Sequence, residues 1–149
     1  MTMTELARTK SKDRSTQVGA VIVGNGHTVL SMGYNGFPRG VLDDVDSRHE
    51  RPVKYLFTEH AERNAIYAAA KNGIKLDGAV MYVSCGGVPC ADCCRAIIQA
   101  GIVEVVVMYR VFEGKGSWDE SCEIGKEMLT EAGVNISFLN SDYDKVLII

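Results

Sequence analysis

Apolar runs alternate with alanine-rich, amphipathic stretches along most of this chain. Val18 to Val23 is unbroken and rich in branched side chains, which predicts a strand. Gly24-Asn25-Gly26-His27 reads as a turn, and Thr28 to Tyr34 as the returning strand of an antiparallel hairpin. Asn35 to Phe57 is a long connection punctuated by Gly36, Pro38, Gly40 and Pro52, and loops of that length in a compact domain tend to be functional or disordered. Helix, strand and helix are then expected at Glu59 to Asn72, Ala79 to Ser84 and Ala91 to Ala100, with Gly73 and Gly101 stopping the helices. Val103 to Met108 is continuously apolar, as a strand buried on both faces should be. Glu120 to Ala132 predicts a third helix and Val134 to Leu139 a last strand. Residues 1–14 are expected to form a short helix, and the apolar tail Val146 to Ile149 to dock on the body.

A hairpin followed by such alternation implies an α/β protein. Its sheet should be mixed: parallel strands joined by helical crossovers, with the hairpin along one side. The 149 residues suit one domain, taken as 1–149, with no visible repeat or linker. No apolar run approaches the roughly 18 residues that span a bilayer, and the polar stretch Met1 to Arg14 does not read as a secretory signal. The expected location is therefore the cytoplasm, with no membrane partner.

The formal net charge of −3 argues against a long nucleic acid as partner. The densest basic stretch, Arg8, Lys10, Lys12 and Arg14, is broken by Asp13. The cysteines (Cys85, Cys90, Cys93, Cys94 and Cys122) are odd in number and begin only at residue 85, a poor disulfide framework and a better metal one.

The chemistry concentrates in His60-Ala61-Glu62 and Pro89-Cys90-Ala91-Asp92-Cys93. One histidine and two cysteines offer three ligands to zinc, and a three-ligand site leaves a position open for water. Glu62 stands two residues after the histidine, where a carboxylate can relay the proton of that water. His60 and Glu62 are expected in the first turn of one helix, with Cys90 and Cys93 on one face at the start of the next. Two helix N-termini would then point at one spot and favour thiolates there. The alternative is a zinc staple joining two helices. A staple would want a fourth protein ligand and has no use for Glu62. Cys94 points about 100° away from Cys93 around a helix. Cys85 lies closer to hand but, like Cys122, reads as a small buried hydrophobe. His27 falls in the turn and is expected to be exposed; His49 lies in a charged stretch that offers no second ligand set. No phosphate-loop pattern follows Gly24-Asn25-Gly26 or Gly86-Gly87.

The pattern His-x-Glu followed by Pro-Cys-x-x-Cys is the known signature of zinc nucleobase deaminases. Beyond it, the chain resembles the deoxycytidylate (dCMP) deaminase family of the cytidine deaminase superfamily from about Lys12 to Gly133. The resemblance rests on Gln17 to Val23, Gly33-Tyr34-Asn35-Gly36-Phe37-Pro38-Arg39-Gly40, His60 to Ile66, Met81 to Ser84, Pro89 to Cys93 and Ile97 to Ile102. The zinc motif alone reaches only the superfamily; the Gly-Tyr-Asn-Gly-x-Pro-x-Gly segment narrows it. The resemblance implies a three-layer α/β/α cytidine-deaminase-like fold with a five-stranded mixed sheet. It implies hydrolysis of dCMP to dUMP and ammonia, supplying dUMP for thymidylate synthesis, with His60, Cys90 and Cys93 holding one Zn2+ and Glu62 shuttling the proton. Ala61 and Ser84 would orient the base and Asn35 would contact the sugar. It also implies a homo-oligomer, commonly a hexamer, with dCTP and Mg2+ as activator and dTTP as inhibitor. Gly33, Tyr34, Asn35, Gly36, Asp43 and Asp44 are the residues assigned to that regulation.

The match thins at Tyr109 to Trp118, where Val111 and Phe112 replace the lysine and tyrosine expected near the substrate phosphate. Tyr109, Arg110 or Lys115 are the substitutes, an arginine fork being suited to phosphate. This leaves dCTP as an alternative or additional substrate. A tRNA adenosine deaminase, a free-base or riboflavin-pathway deaminase and a zinc-stapled nucleotide-sensing module are the other readings of the zinc motif.

Overall fold

In the computed structural model, which describes residues 1–108, 119–140 and 145–148, Gly19–Val23 (β1) turns through Asn25–His27 into Val29–Tyr34 (β2). The two pair antiparallel, as the hairpin reading requires. On its other side β1 pairs antiparallel with Val80–Val83 (β3). Glu104–Met108 (β4) and Asn135–Leu139 (β5) continue from β3 in parallel register. Lys145–Ile148 (β6) runs antiparallel to β5, so the sheet order is β2-β1-β3-β4-β5-β6. The five expected strands make the expected mixed sheet. The docked tail adds a sixth at the edge.

The helices are Thr2–Arg8 (α1), Lys54–Phe57 (α2), Ala61–Lys71 (α3), Ala91–Gln99 (α4) and Asp119–Glu131 (α5). The hairpin register puts Ala20 beside Gly33 on one face of the sheet and Gly19 beside Tyr34 on the other. On the first face α3 comes so close to β2 that a Cβ on Gly33 would stand 2.3 Å from the Ala65 nitrogen. On the opposite face α1 packs against β1. Ala20, Ile22, Met81, Val83, Val105, Val107, Ile136 and Phe138 form the sheet's side of the core. Ala61, Ala65, Ala69, Cys94, Ile97 and Leu129 close it from α3, α4 and α5. Burial of a large aliphatic side chain contributes roughly 1.5–3 kcal/mol. That core holds the helices that carry the motif residues against the sheet.

Two boundaries move for physical reasons. The helix expected from Glu59 starts at Ala61, because Glu59 is taken up in a backbone bridge with Gly36. His60 is therefore extended (φ −78°, ψ 154°) and sits at the N-cap, not in the first turn. The N-terminal helix covers only Thr2–Arg8; Ser11 and Asp13 beyond it are spent on hydrogen bonds to later segments. The long 35–57 connection is ordered by α2, by the helical turn Asp46–His49, and by Phe37, whose ring stacks on His49 at 4.9 Å and packs on Phe57. Among the described residues no helix is long and apolar enough to cross a membrane.

Candidate active site

Cys90 caps α4 as His60 caps α3, so both side chains leave from the last extended residue before a helix. Nδ1 of His60 lies 3.4 Å from Sγ of Cys90 and 3.4 Å from Sγ of Cys93. The three donor atoms are all within 4.8 Å of one another, and they form the one such cluster among the described residues. A zinc ion with Zn–S near about 2.3 Å and Zn–N near about 2.0–2.1 Å, at tetrahedral angles, would hold sulfur and nitrogen about 3.6 Å apart. Two soft sulfurs and an imidazole at this spacing fit that ion.

The remaining cysteines stand apart from the cluster. The Cys94 thiol donates to the Pro89 carbonyl and the Cys85 thiol to the Gly87 carbonyl. None of the five is in a disulfide. With no fourth ligand among the described residues, the set is the open, three-ligand kind.

Glu62 stands in the first turn of α3 and is 4% exposed. Burial pushes its carboxyl up, with His60 acting in the opposite direction. A carboxyl so placed holds a proton more readily than a solvated one, which suits a group that must both take and return it. The hydrogen bond from the Cys93 thiol holds Cys90 down to about 4, against burial and with help from His60. The same bond, together with burial, pushes Cys93 up.

The start of α4 is braced from α5. Ser121 Oγ accepts the Ala91 N–H at 3.1 Å, one of the amides a helix N-terminus leaves without a partner. Gly125 lies so near that a Cβ there would come within 2.7 Å of the Pro89 carbonyl oxygen. The start of α3 is braced by Glu59, whose Oε1 accepts the His60 N–H at 3.0 Å. Ser121, Glu59 and Arg63 are not singled out by the spacing of the motif residues. The signal for the last two was present, since Glu59 and Arg63 are opposite charges four residues apart.

Asn35 is buried, and its amide is occupied by the chain itself. Oδ1 accepts the Val18 N–H at 2.7 Å and Nδ2 donates to the Thr16 carbonyl at 2.8 Å, while Ser11 Oγ donates to the Asn35 carbonyl. Ser84, at the end of β3, accepts the Gly19 N–H at 2.9 Å. Ala61 is fully buried, with its carbonyl oxygen against Gly33. Tyr34, Gly36 and Asp43 line a cleft of about 270 Å³ with Lys12, Arg14 and Arg39. Gly33 faces α3 instead, and the exposed Asp44 is not part of the lining. Tyr109, Arg110, Lys115 and Trp118 lie outside the described residues. His27 is exposed, as expected. His49 contacts the Asp43 carbonyl through Nε2 at 2.8 Å.

Comparison with known proteins agrees with this geometry. Residues 1–109 match the model of the cytidine and deoxycytidylate deaminase zinc-binding region. An uncharacterized deaminase of Aliivibrio fischeri is 40% identical over 94% of this chain and 90% of its own length. The deoxycytidylate deaminase of Mus musculus is 35% identical over 99% of this chain and 82% of its own. Among solved structures, the dCMP deaminase of cyanophage S-TIM5 superimposes with a TM-score of 0.70. It is 29% identical and covers 93% of this chain and 92% of its own; it is also known in complex with dCMP and dUMP. A site of two cysteines and a histidine with a buried glutamate, on this sheet order and with these relatives, leaves one assignment: the chain belongs to the cytidine and deoxycytidylate deaminase family of zinc enzymes.

Proposed function

We propose that this chain hydrolyses dCMP to dUMP and ammonia. The observation that carries the reading is the buried Glu62 beside the cluster of His60, Cys90 and Cys93. Zinc held by those three residues would supply the Lewis acidity that makes a water nucleophilic near neutral pH. Glu62 takes the proton of that water and delivers it to N3 of the pyrimidine. Once the water oxygen has added to C4, Glu62 takes the remaining proton of the C4 hydroxyl and hands it to the amine as the C4–N bond breaks, so one carboxyl serves as base and then as acid. The new C4–O bond leaves uracil. The Ala61 and Ser84 backbone orients the base, and the Asn35 segment meets the sugar. Tyr109 and Arg110 are assigned to the phosphate. The relatives named above, one of them bound to dCMP and dUMP, support this substrate class.

The cleft beside Tyr34 and Gly36 is the proposed place of regulation. Lys12, Arg14 and Arg39 give it the positive lining that a nucleotide triphosphate requires. We assign it to dCTP or dTTP carrying Mg2+, in a cytoplasmic homo-oligomer, with six copies the expected number.

A substrate panel tests the reading. Purified zinc-loaded protein is given dCMP, dCTP, CMP and deoxycytidine, each with and without dCTP or dTTP plus Mg2+. The expected result is a clear preference for dCMP. Equal turnover of unphosphorylated deoxycytidine would remove the nucleotide from the reading, and preference for dCTP would move it to the triphosphate.

A further inference from the structure

The three metal-binding residues come from two elements, His60 from the N-terminus of α3 and the cysteines from the N-terminus of α4. Their spacing is therefore a tertiary quantity that some contact between the two helix starts has to set. Beside the packing of the core, Arg63 makes one such contact. Its Nη2 pairs with Glu59 Oε1 at 2.5 Å, and its Nη1 stands 3.8 Å from Asp92 Oδ2. Glu59 Oε1 is the same atom that accepts the His60 N–H. Asp92 lies between Cys90 and Cys93 in the chain and also pairs with Arg95. One guanidinium thus spans from the backbone of the histidine ligand to the residue flanked by the two cysteine ligands.

Two further observations separate Arg63 from a surface ion pair. Its side chain is only 23% exposed. Its Nε is buried and has no hydrogen-bond partner among the described residues. A buried N–H left unpaired is costly, so packing alone gives no reason to place an arginine here. The backbone of Glu59 is also bonded to Gly36, in the segment that follows Asn35. The strut therefore starts on the segment assigned to nucleotide recognition and ends on the metal-binding turn.

We propose that Arg63 is a positioning residue of the metal centre: with Glu59 and Asp92 it forms a strut that sets His60 against Cys90 and Cys93. The proposal rests on the metal-binding part of the function above and not on which nucleotide is used. Lysine cannot replace the fork, because a single ammonium does not reach two carboxylates in fixed directions.

The test compares wild type, R63K, R63A and D92N, each loaded with zinc. Release of zinc to a chromophoric chelator is timed, and thermal unfolding is followed with and without zinc. Loss of an outer partner of a metal site weakens metal binding by about 10- to 100-fold, and R63A is expected to fall in that range, with R63K and D92N between it and wild type. The gap in Tm between zinc-loaded and zinc-free protein should narrow, while the zinc-free Tm stays near that of wild type. Unchanged release in R63A overturns the strut. So does an equal fall of both Tm values, which would mark Arg63 as packing alone; should R63A not fold, R63K and D92N decide on the same criteria. Failure of the wild type itself to take up zinc would instead overturn the metal reading, and the strut with it.

Discussion

Gly36 and Glu59 exchange both backbone hydrogen bonds, Gly36 N–H to the Glu59 carbonyl at 3.0 Å and Glu59 N–H to the Gly36 carbonyl at 2.9 Å. The residue after Asn35 is thereby tied to the residue before His60. The same bridge holds Glu59 extended and delays α3, so that His60 emerges at the helix cap facing the cysteines. Loop and metal site share one short piece of backbone, and changes in the loop should be felt at the metal.

Asn35 offers the first check. Its amide uses an acceptor toward Val18 and a donor toward Thr16. N35D keeps the acceptor and puts a carboxylate oxygen against the Thr16 carbonyl. Leaving such a buried group mispaired costs about 1–3 kcal/mol, so the Tm should fall. In steady-state kinetics KM for dCMP should rise more than kcat falls, whereas a purely local destabilisation would lower the amount of active enzyme and leave KM unchanged.

Gly33 is the point where β2 and α3 touch, and no side chain fits there. In G33A the new methyl would meet the Ala65 nitrogen at 2.3 Å and the Ala61 oxygen at 2.4 Å. Overpacking of this kind costs about 1–3 kcal/mol. Because α3 must shift to accept it, zinc content per chain should drop along with Tm. Metal analysis and a melting curve on the same preparation measure both.

The Asp13–Lys54 pair sets an acid limit on stability. Burial pushes the Asp13 carboxyl up, but Lys54 and hydrogen bonds from Thr16 and Ser15 outweigh it and hold it at about 2, below the usual 3.8. A carboxyl with a depressed folded value stabilises the fold above its unfolded value and loses that contribution as pH falls through the folded one. The contribution of Asp13 should therefore be complete above about pH 4 and decline from there toward pH 2. D13N should be less stable than wild type at neutral pH, and the difference should shrink over that window in urea titrations. K54M leaves the carboxylate buried without its cation and should be the worse of the two at neutral pH.

The cysteines divide into ligands and packing. C90S and C93S should each lose zinc and deaminase activity together. C94S should keep one zinc per chain, because Cys94 turns its thiol to the Pro89 carbonyl and a hydroxyl can make the same bond. Loss of zinc from C94S would show that it belongs to the ligand set.

Much of this was legible in the chain because local signals agreed. Branched apolar residues mark β1, β3 and β4, and glycines mark the ends of α3 and α4. The spacing of His60, Glu62, Cys90 and Cys93 announces the metal chemistry by itself. What was not legible depends on contacts between distant segments. No local rule places His60 outside the helix; that follows from the Gly36–Glu59 bridge. The family resemblance assigns Asn35 to the sugar, but no local pattern announces that its amide also bonds the backbone of residues 16 and 18. The sixth strand was visible only as an apolar tail, since a strand of four residues at an edge takes its identity from its neighbour β5.

Glu62→Gln bears most directly on the chemistry proposed for this chain. The amide is nearly isosteric and leaves His60, Cys90 and Cys93 untouched, but it cannot take or return a proton. Zinc content and dCMP turnover should be measured on the same zinc-loaded preparation. The expected outcome is one zinc per chain, as in wild type, with kcat reduced by at least about 100-fold, the lower end of what a general acid–base contributes. Wild-type turnover by a zinc-loaded E62Q protein would contradict the mechanism outright.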